Sequence, residues 1–301
     1  PDIIIGDQFQ TAVLQSQGLL DTMDDWQKVA PDLKESSFLP ATWKGVTING
    51  KAYGIPLYLY QMAIYYNKDL VKKYNLQYIL DDGFVTIDEI KDLKGKLPKG
   101  TYALTYGNLP WAFMSLLYGA GGTLENDMDD LTKDVWRKPM EKLKEAYDAG
   151  VVAPMDVDGE QAFGSGKAVF AQLGTWAQGF FYQCNWMQLK DPHRSAAKSA
   201  AAADFVKYVY EHWMDWSEVG SISPAYRDLN NPKYQKLIQA SFTNSKKERD
   251  YIKTSNYLYG GYATAGWGTY NDIVYGNVGL EEGLKTLDLM AQGQIEIQEE
   301  S

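Results

Sequence analysis

Apolar and polar positions along this chain switch repeatedly between a two-residue and a helical period, and the switches set the order of elements. Asp2-Ile3-Ile4-Ile5-Gly6 is a short apolar run, read as a buried strand that ends at Gly6-Asp7. Phe9 to Gln17 follows the helical period, with Gly18 closing the helix. Asp21 to Asp25 with Trp26 reads as a solvated acidic turn, Phe38 to Trp43 starts a short helix, and Asn49-Gly50 is a hairpin turn. Residues 50–70, GKAYGIPLYLYQMAIYYNKDL, are crowded with aromatic and large apolar side chains, so both faces of this stretch need cover. Pro56 near its start predicts an edge strand or a bend. Asn67 at its end is placed to cap a helix that carries Leu70 and Val71.

Beyond that stretch, Thr86-Ile87-Asp88-Glu89 has the spacing of a capping box. Leu109 to Tyr118 is an apolar helix ended by Gly119-Ala120-Gly121-Gly122. From Leu131 to Ala149 the pattern is strongly amphipathic, with Trp136, Met140, Leu143 and Tyr147 on one stripe and Gly150 at the C-cap. Phe163 to Lys167 is a turn into a strand over Ala168–Ala171, and Gly174-Thr175-Trp176 begins another helix. Ser195 to Trp213 is an Ala-rich helix with Phe205, Val209 and Trp213 on one side. A Gly/Tyr-rich segment spans Tyr257 to Tyr270, and a last helix carries Leu280, Leu284, Leu287 and Ala291 on one face. Strands alternating with helices predict the α/β class.

A length of 301 residues exceeds what one core usually supports, so two lobes are expected. A net charge of −10 argues against nucleic acid as a partner. Only four of the 29 basic residues are arginine (Arg137, Arg194, Arg227, Arg249), so bidentate anion clamps are scarce. The single cysteine, Cys184, excludes an internal disulfide. The first residues lack Met and open on an apolar strand, as in a mature or clipped chain.

Catalytic signatures are sparse. His193 lies in a polar turn and His212 beside Trp213, and there is no G-x-S-x-G elbow. Gly164-Ser165-Gly166-Lys167 lacks the first glycine of a phosphate loop and has Ala168 where a hydroxyl would hold magnesium. The acidic run Glu125 to Asp130 lacks the central glycine and terminal Glu of a calcium loop, and reads as a solvated turn. Tryptophan is the informative residue type. Trp136 and Trp213 sit on apolar helical stripes and read as core, as does Trp43. Trp111, Trp176 and Trp267 each follow turn residues at a helix mouth, where a ring can floor a cleft and stack on the C–H face of a sugar.

The chain resembles the bacterial extracellular solute-binding proteins of carbohydrate ABC importers, the maltose-binding-protein-like family. Four blocks carry the resemblance in order: Pro1-Asp2-Ile3-Ile4-Ile5 with Gly18-Leu19-Leu20; Gly50 to Pro56 with Tyr65 to Leu70; Phe163 to Phe170 with Gly174-Thr175-Trp176; and Ser199 to Tyr208. It implies a two-lobed periplasmic-binding-protein-like fold with a ligand cleft between lobes joined by hinge segments. Residues 1–67 and 184–230 would form the first lobe, and 68–183 and 231–301 the second. The strand through residues 50–70 would carry the chain from one lobe to the other. By position, Asp7, Phe9, Tyr60 and Gln61 would meet the ligand from the first lobe. Trp111, Trp176 and Trp267 would stack on it from the second, with Asn185, Trp186 and Tyr270 adding contacts. Relatives often carry Asp near the Tyr60-Gln61 position, so this neutral pair departs from the pattern. They also carry a strand–helix unit before the first block and a further strand ahead of Asn185.

The resemblance further implies a monomeric, non-catalytic protein without cofactor or metal. It would deliver an oligosaccharide to the membrane permease subunits of an ABC transporter. Its location would be extracytoplasmic, in a periplasm or as a Gram-positive cell-surface lipoprotein, the latter suggested by high Tyr and Lys with few Arg. Two other readings stay open on the residues alone: a glycoside hydrolase with an aromatic-lined cleft, and a receptor of the same fold for a non-sugar solute.

Overall fold

The computed structural model describes residues 1–6, 8–59, 62–107, 109–154, 156–174, 185–220, 223–226, 229–237, 239–240 and 268–299, with the side chains of 8, 9, 12, 41, 109–112, 220 and 298–299 outside that description. The chain divides into two compact units, Pro1–Gln61 with Thr175–Asn256 and Met62–Gly174 with Tyr257–Ser301. Each unit combines sheet and helix, as the alternating pattern predicts.

The first segment supplies β1 (Ile3–Gly6), α1 (Gln8–Ser16), α2 (Asp24–Val29), α3 (Pro40–Val46), the hairpin β2 (Thr47–Ile48) and β3 (Lys51–Ala52), β4 (Ile55–Pro56) and β5 (Tyr58–Leu59). Asn49 and Gly50 both have positive φ, 49° and 77°, which is the backbone a two-residue hairpin with right-handed strand twist requires. Two expectations change here. Ile5 is 49% exposed, because β1 lies at the edge of its sheet. The acidic stretch before Trp26 is not a solvated turn: Asp24 and Asp25 open α2, where they suit the positive end of the helix, and Trp26 is fully buried.

The second segment supplies β6 (Met62–Tyr66), α4 (Lys68–Lys73), α5 (Ile87–Lys91), β7 (Tyr102–Tyr106), α6 (Leu109–Gly119), α7 (Leu124–Asp127), α8 (Asp134–Asp148), α9 (Gly159–Gly164) and β8 (Ala168–Gly174). Local signals set the helix starts. The Asn67 side chain accepts from the amides of Asp69 and Leu70 at 3.1 and 3.0 Å. Thr86 and Glu89 form both halves of a capping box at α5. All seven residues of β8 are buried. It runs between β6, which is antiparallel to it, and β7, which is parallel.

The chain then returns with β9 (Asn185–Gln188), α10 (Ala196–Glu211), α11 (Trp213–Gly220) and β10 (Ser223–Pro224) in the first unit, and α12 (Leu280–Glu299) in the second. β9 lies between β1 and β4, antiparallel to both, and Pro56 on β4 is accordingly an edge residue. On α10 the buried face is Ala202, Ala203 and Val206, while Phe205 is 48% exposed. The small alanines let α10 lie close on α2, so the aromatic side of the helix turns outward. Arg194, just before α10, donates to Asp21 Oδ2 at 2.6 Å and to the Leu189 carbonyl, and lies 3.6 Å from Asp2. It thereby ties the start of β1 to the end of β9. On α12, Leu284, Leu287 and Ala291 are buried as expected. Asp288 accepts from the Leu131 amide at 3.0 Å, and Gln292 donates to the Met128 carbonyl at 2.7 Å.

The unit boundaries fall at 61/62, 174/175 and 256/257, where the sequence suggested 67/68, 183/184 and 230/231. β6 is joined to the second unit by its ladder to β8 from Met62 onward, and Tyr234 packs against Trp213 in the first.

Gly159 has no room for a side chain: a Cβ there would enter the van der Waals shell of the Tyr106 carbonyl and of Thr105 Oγ1 on β7. Gly159→Ala should therefore cost about 2 kcal/mol or more in denaturant unfolding. Burial also raises the phenols of Tyr106, Tyr226 and Tyr270 above their ordinary value. Their contribution is complete below about pH 10, where the unfolded chain keeps its phenols protonated, and is lost as pH rises beyond it. Alkaline titration should show tyrosinate absorbance of these residues appearing together with loss of circular dichroism. Their ionisation in an intact fold would contradict the burial.

Candidate functional site

The strand registers bring some of the predicted ligand positions of each unit to one end of its sheet. In the first unit Gly6 pairs with Asn185, and Asn185 pairs with Pro56. The carboxyl ends of β1 and β4 therefore meet the start of β9. Asp7 follows β1 at this end and Phe9 enters α1, but Asp7 and the Phe9 side chain lie outside the described residues. Tyr60 and Gln61, which follow β5, also lie outside them.

Asn185 is only 2% exposed. Its carboxamide Nδ2 donates to Thr11 Oγ1 at 3.4 Å, and the Thr11 hydroxyl in turn donates to Met187 Sδ at 3.1 Å. Strand alternation places Asn185 and Met187 on one face of β9 and Trp186 on the other. The Trp186 ring meets Phe205 edge-on at 5.3 Å and packs against the first unit's core. Its buried indole N–H has no hydrogen-bond partner among the described residues. The two neighbours thus have different surroundings: Asn185 sits in a polar relay and Trp186 in an aromatic contact. Thr11 escaped the sequence reading, which treated residues 9–17 simply as a helix. The available signal was a hydroxyl one turn into a helix that starts at a strand end.

In the second unit β6 begins where β8 ends, with Met62 opposite Gly174. β7 ends beside them, Tyr106 pairing with Gln172 and the Gly107 amide donating to the Gln172 carbonyl at 3.3 Å. The loop from Gly107 leads into α6, of which Trp111 is the third residue. Trp176 follows β8 by two residues. The backbone thus brings the Trp111 loop and the exit toward Trp176 to one sheet end, while the side chain of Trp111 and all of Trp176 and Trp267 lie outside the described residues. Tyr270 is placed elsewhere. It is fully buried, its ring 5.0 Å from that of Phe113, in the packing of the second unit.

A hollow of about 420 Å³ lined by Tyr66, Lys68, Val71, Lys72, Asn75 and Gln77 lies at the opposite end of this sheet, where β6 gives way to α4. Its exposed lysines make it a solvated surface feature, remote from the strand ends that lead to the tryptophans.

No three His, Cys, Asp or Glu side chains gather among the described residues as for a metal ion. His212 stacks on Tyr208 at 4.0 Å, with Nδ1 2.8 Å from that residue's own carbonyl oxygen. The acidic run is taken up in local structure. Asp127 accepts from the Thr123 amide at 2.7 Å, and the amide and hydroxyl of Thr132 hold the Asp130 carboxyl below its ordinary range. No helix among the described residues is long and apolar enough to cross a membrane.

Residues 1–183 match the family described as bacterial extracellular solute-binding protein. No curated protein sequence matches significantly. Among solved structures, the GacH receptor of Streptomyces glaucescens, determined unliganded and with acarbose, is similar with a TM-score of 0.72 at 18% identity, over 98% of this chain and 84% of that one. An ABC substrate-binding protein from Listeria monocytogenes in complex with cycloalternan gives 0.79 at 15% identity, over 97% and 84%. UgpB from Mycobacterium tuberculosis in complex with glycerophosphocholine gives 0.80 at 15% identity, over 99% and 84%. At these identities the likeness shows the fold, that of the two-lobed solute-binding proteins.

The Thr11–Asn185 pair gives a direct test of the geometry. Thr11→Val removes the acceptor and leaves the buried Asn185 amide unpaired, at a cost of about 1–3 kcal/mol in denaturant unfolding. Thr11→Ser should recover most of it.

Proposed function

We propose that this chain, which belongs to the family of bacterial extracellular solute-binding proteins, captures a neutral oligosaccharide outside the cytoplasmic membrane. In this reading it hands the sugar to the permease subunits of an ABC transporter. It works as a monomer, without catalysis, cofactor or metal, and is held at the cell surface by a lipid anchor or is free in a periplasm.

The observation that carries the sugar reading is the convergence of chain segments in the second unit. The loop leading to Trp111 and the strand exit leading to Trp176 leave the same end of one sheet. Indole rings at such an end suit the apolar C–H faces of pyranose rings, and the polar rims of the sugar call for amides and carboxylates. The equivalent sheet end of the first unit offers the Asn185 carboxamide, steadied by Thr11. Asp7, Phe9, Tyr60, Gln61 and Trp267 complete the proposed contact set. Tyr270 and Trp186 are left out of it because of their packing.

A net charge of −10 with four arginines disfavours an anionic ligand. A second reading, a small solute with a phosphodiester head group, is favoured by the likeness to the glycerophosphocholine-bound protein.

A thermal-shift screen separates the two. A specific neutral oligosaccharide at a hundredfold excess over its Kd should stabilise the fold by about 2.7 kcal/mol and raise the Tm by several degrees. A shift with glycerophosphodiesters alone would transfer the assignment to the second reading, and the appearance of new reducing ends would mark a hydrolase. With the sugar in hand, Trp176→Ala should weaken binding on the order of tenfold or more in calorimetry while leaving the unliganded Tm unchanged.

A further inference from the structure

Glu160 occupies an unusual place at the tryptophan end of the second unit's sheet. It is the second residue of α9, which packs on β7 and β8. Its side chain does not point back into its own helix or out to a lysine. It lies across the start of the β7–α6 loop. A Cβ built on Gly107 would be 2.9 Å from Glu160 Oε1 and 2.7 Å from Leu173 Cδ2. The absence of a side chain at Gly107 is what admits the carboxylate to this position. Gly159 contributes in the same way, since its bare backbone lets α9 start hard against Thr105 and Tyr106 at the end of β7.

The carboxylate that reaches this end is half-buried and makes no hydrogen bond or ion pair among the described residues. Some other acidic side chains of this unit are engaged, Asp88 with Lys142, Glu145 with Lys91, Asp158 as the cap of α9 and Asp288 with the Leu131 amide. A carboxylate at a strand end with no donor of its own is free to accept from a donor that arrives there. Two glycines hold it beside the loop to Trp111 and one residue from the end of β8.

We infer that Glu160 is a ligand-contacting, specificity-determining residue that accepts hydrogen bonds from sugar hydroxyls at the end of the sheet where β7 and β8 finish. This rests on the carbohydrate reading above and adds to it a carboxylate that motif matching does not reach. Ionised carboxylates are acceptor-only and can take two hydroxyls of a vicinal diol. An oxygen held in this place therefore selects for hydroxyl donors and against phosphate.

The test is calorimetric titration of the wild type, Glu160→Gln and Glu160→Ala with neutral malto-, cello- and xylo-oligosaccharides, together with the Tm of each protein without sugar. A loss of about tenfold to a hundredfold in affinity for both variants, at unchanged unliganded Tm, is expected. Wild-type affinity in both variants overturns the inference, and does so whether or not the Tm falls. A wild type that binds none of the sugars overturns the carbohydrate reading itself, and the inference with it. Should Glu160→Ala fail to fold, Glu160→Gln decides alone, since it keeps the shape while removing the charge and one acceptor.

Discussion

The burial of β8 on its whole length is the constraint from which the second unit follows. Seven consecutive buried residues leave no water for their amides and carbonyls, so each edge of the strand needs a partner. β6 and β7 supply those edges, and α9 is packed against the strand as well. The first unit repeats the logic with β9, which also lies between two strands. The strand ends that result carry Asn185 in the first unit and, in the second, the loop before Trp111 and the exit toward Trp176. Rigid, fully paired strands thus hold loops whose composition is free to vary, the usual division between scaffold and recognition.

Recognition in such a protein differs from catalysis in what it asks of polar groups. A binding amide has to be fixed in direction before the ligand comes, or part of the binding energy is lost to ordering it. The carboxamide of Asn185 is fixed in this way by buried groups, donating to Thr11, which donates to Met187. Glu160 is fixed differently, by the space two glycines leave around it. Neither arrangement contains a nucleophile poised beside a base.

Features set by local physics were legible in the sequence. The Asn67 cap, the Thr86–Glu89 capping box, the Asn49-Gly50 hairpin and the stripe of α8 depend on residues within a few positions of one another, and all are present. Features set by distant partners were not. Trp26 stands among acidic residues and is buried only because α10 lies over α2. Phe205 looked like the core side of α10, yet the alanines are, since close helix approach rewards small side chains. Of the candidate site, the order of its segments could be read from the chain. The directions of Asn185, Trp186 and Tyr270 could not, because they depend on strand parity and on packing against residues far away in sequence. Glu160 had no local mark beyond an ordinary second position in a short helix.

The interleaving of the two units has a consequence for the nascent chain. The three strands of the second unit's sheet lie in one uninterrupted stretch, and the last of them is complete at Gly174. In the first unit's sheet, β1 and β4 both pair with β9, which is made only at residues 185–188. Synthesis therefore completes the second unit's sheet before β9, to which β1 and β4 both pair, has been made. Arg194, which joins Asp2 and Asp21 to the end of β9, emerges last of that group. It acts as a clasp that closes the first unit's sheet only after the second unit's three strands have been made.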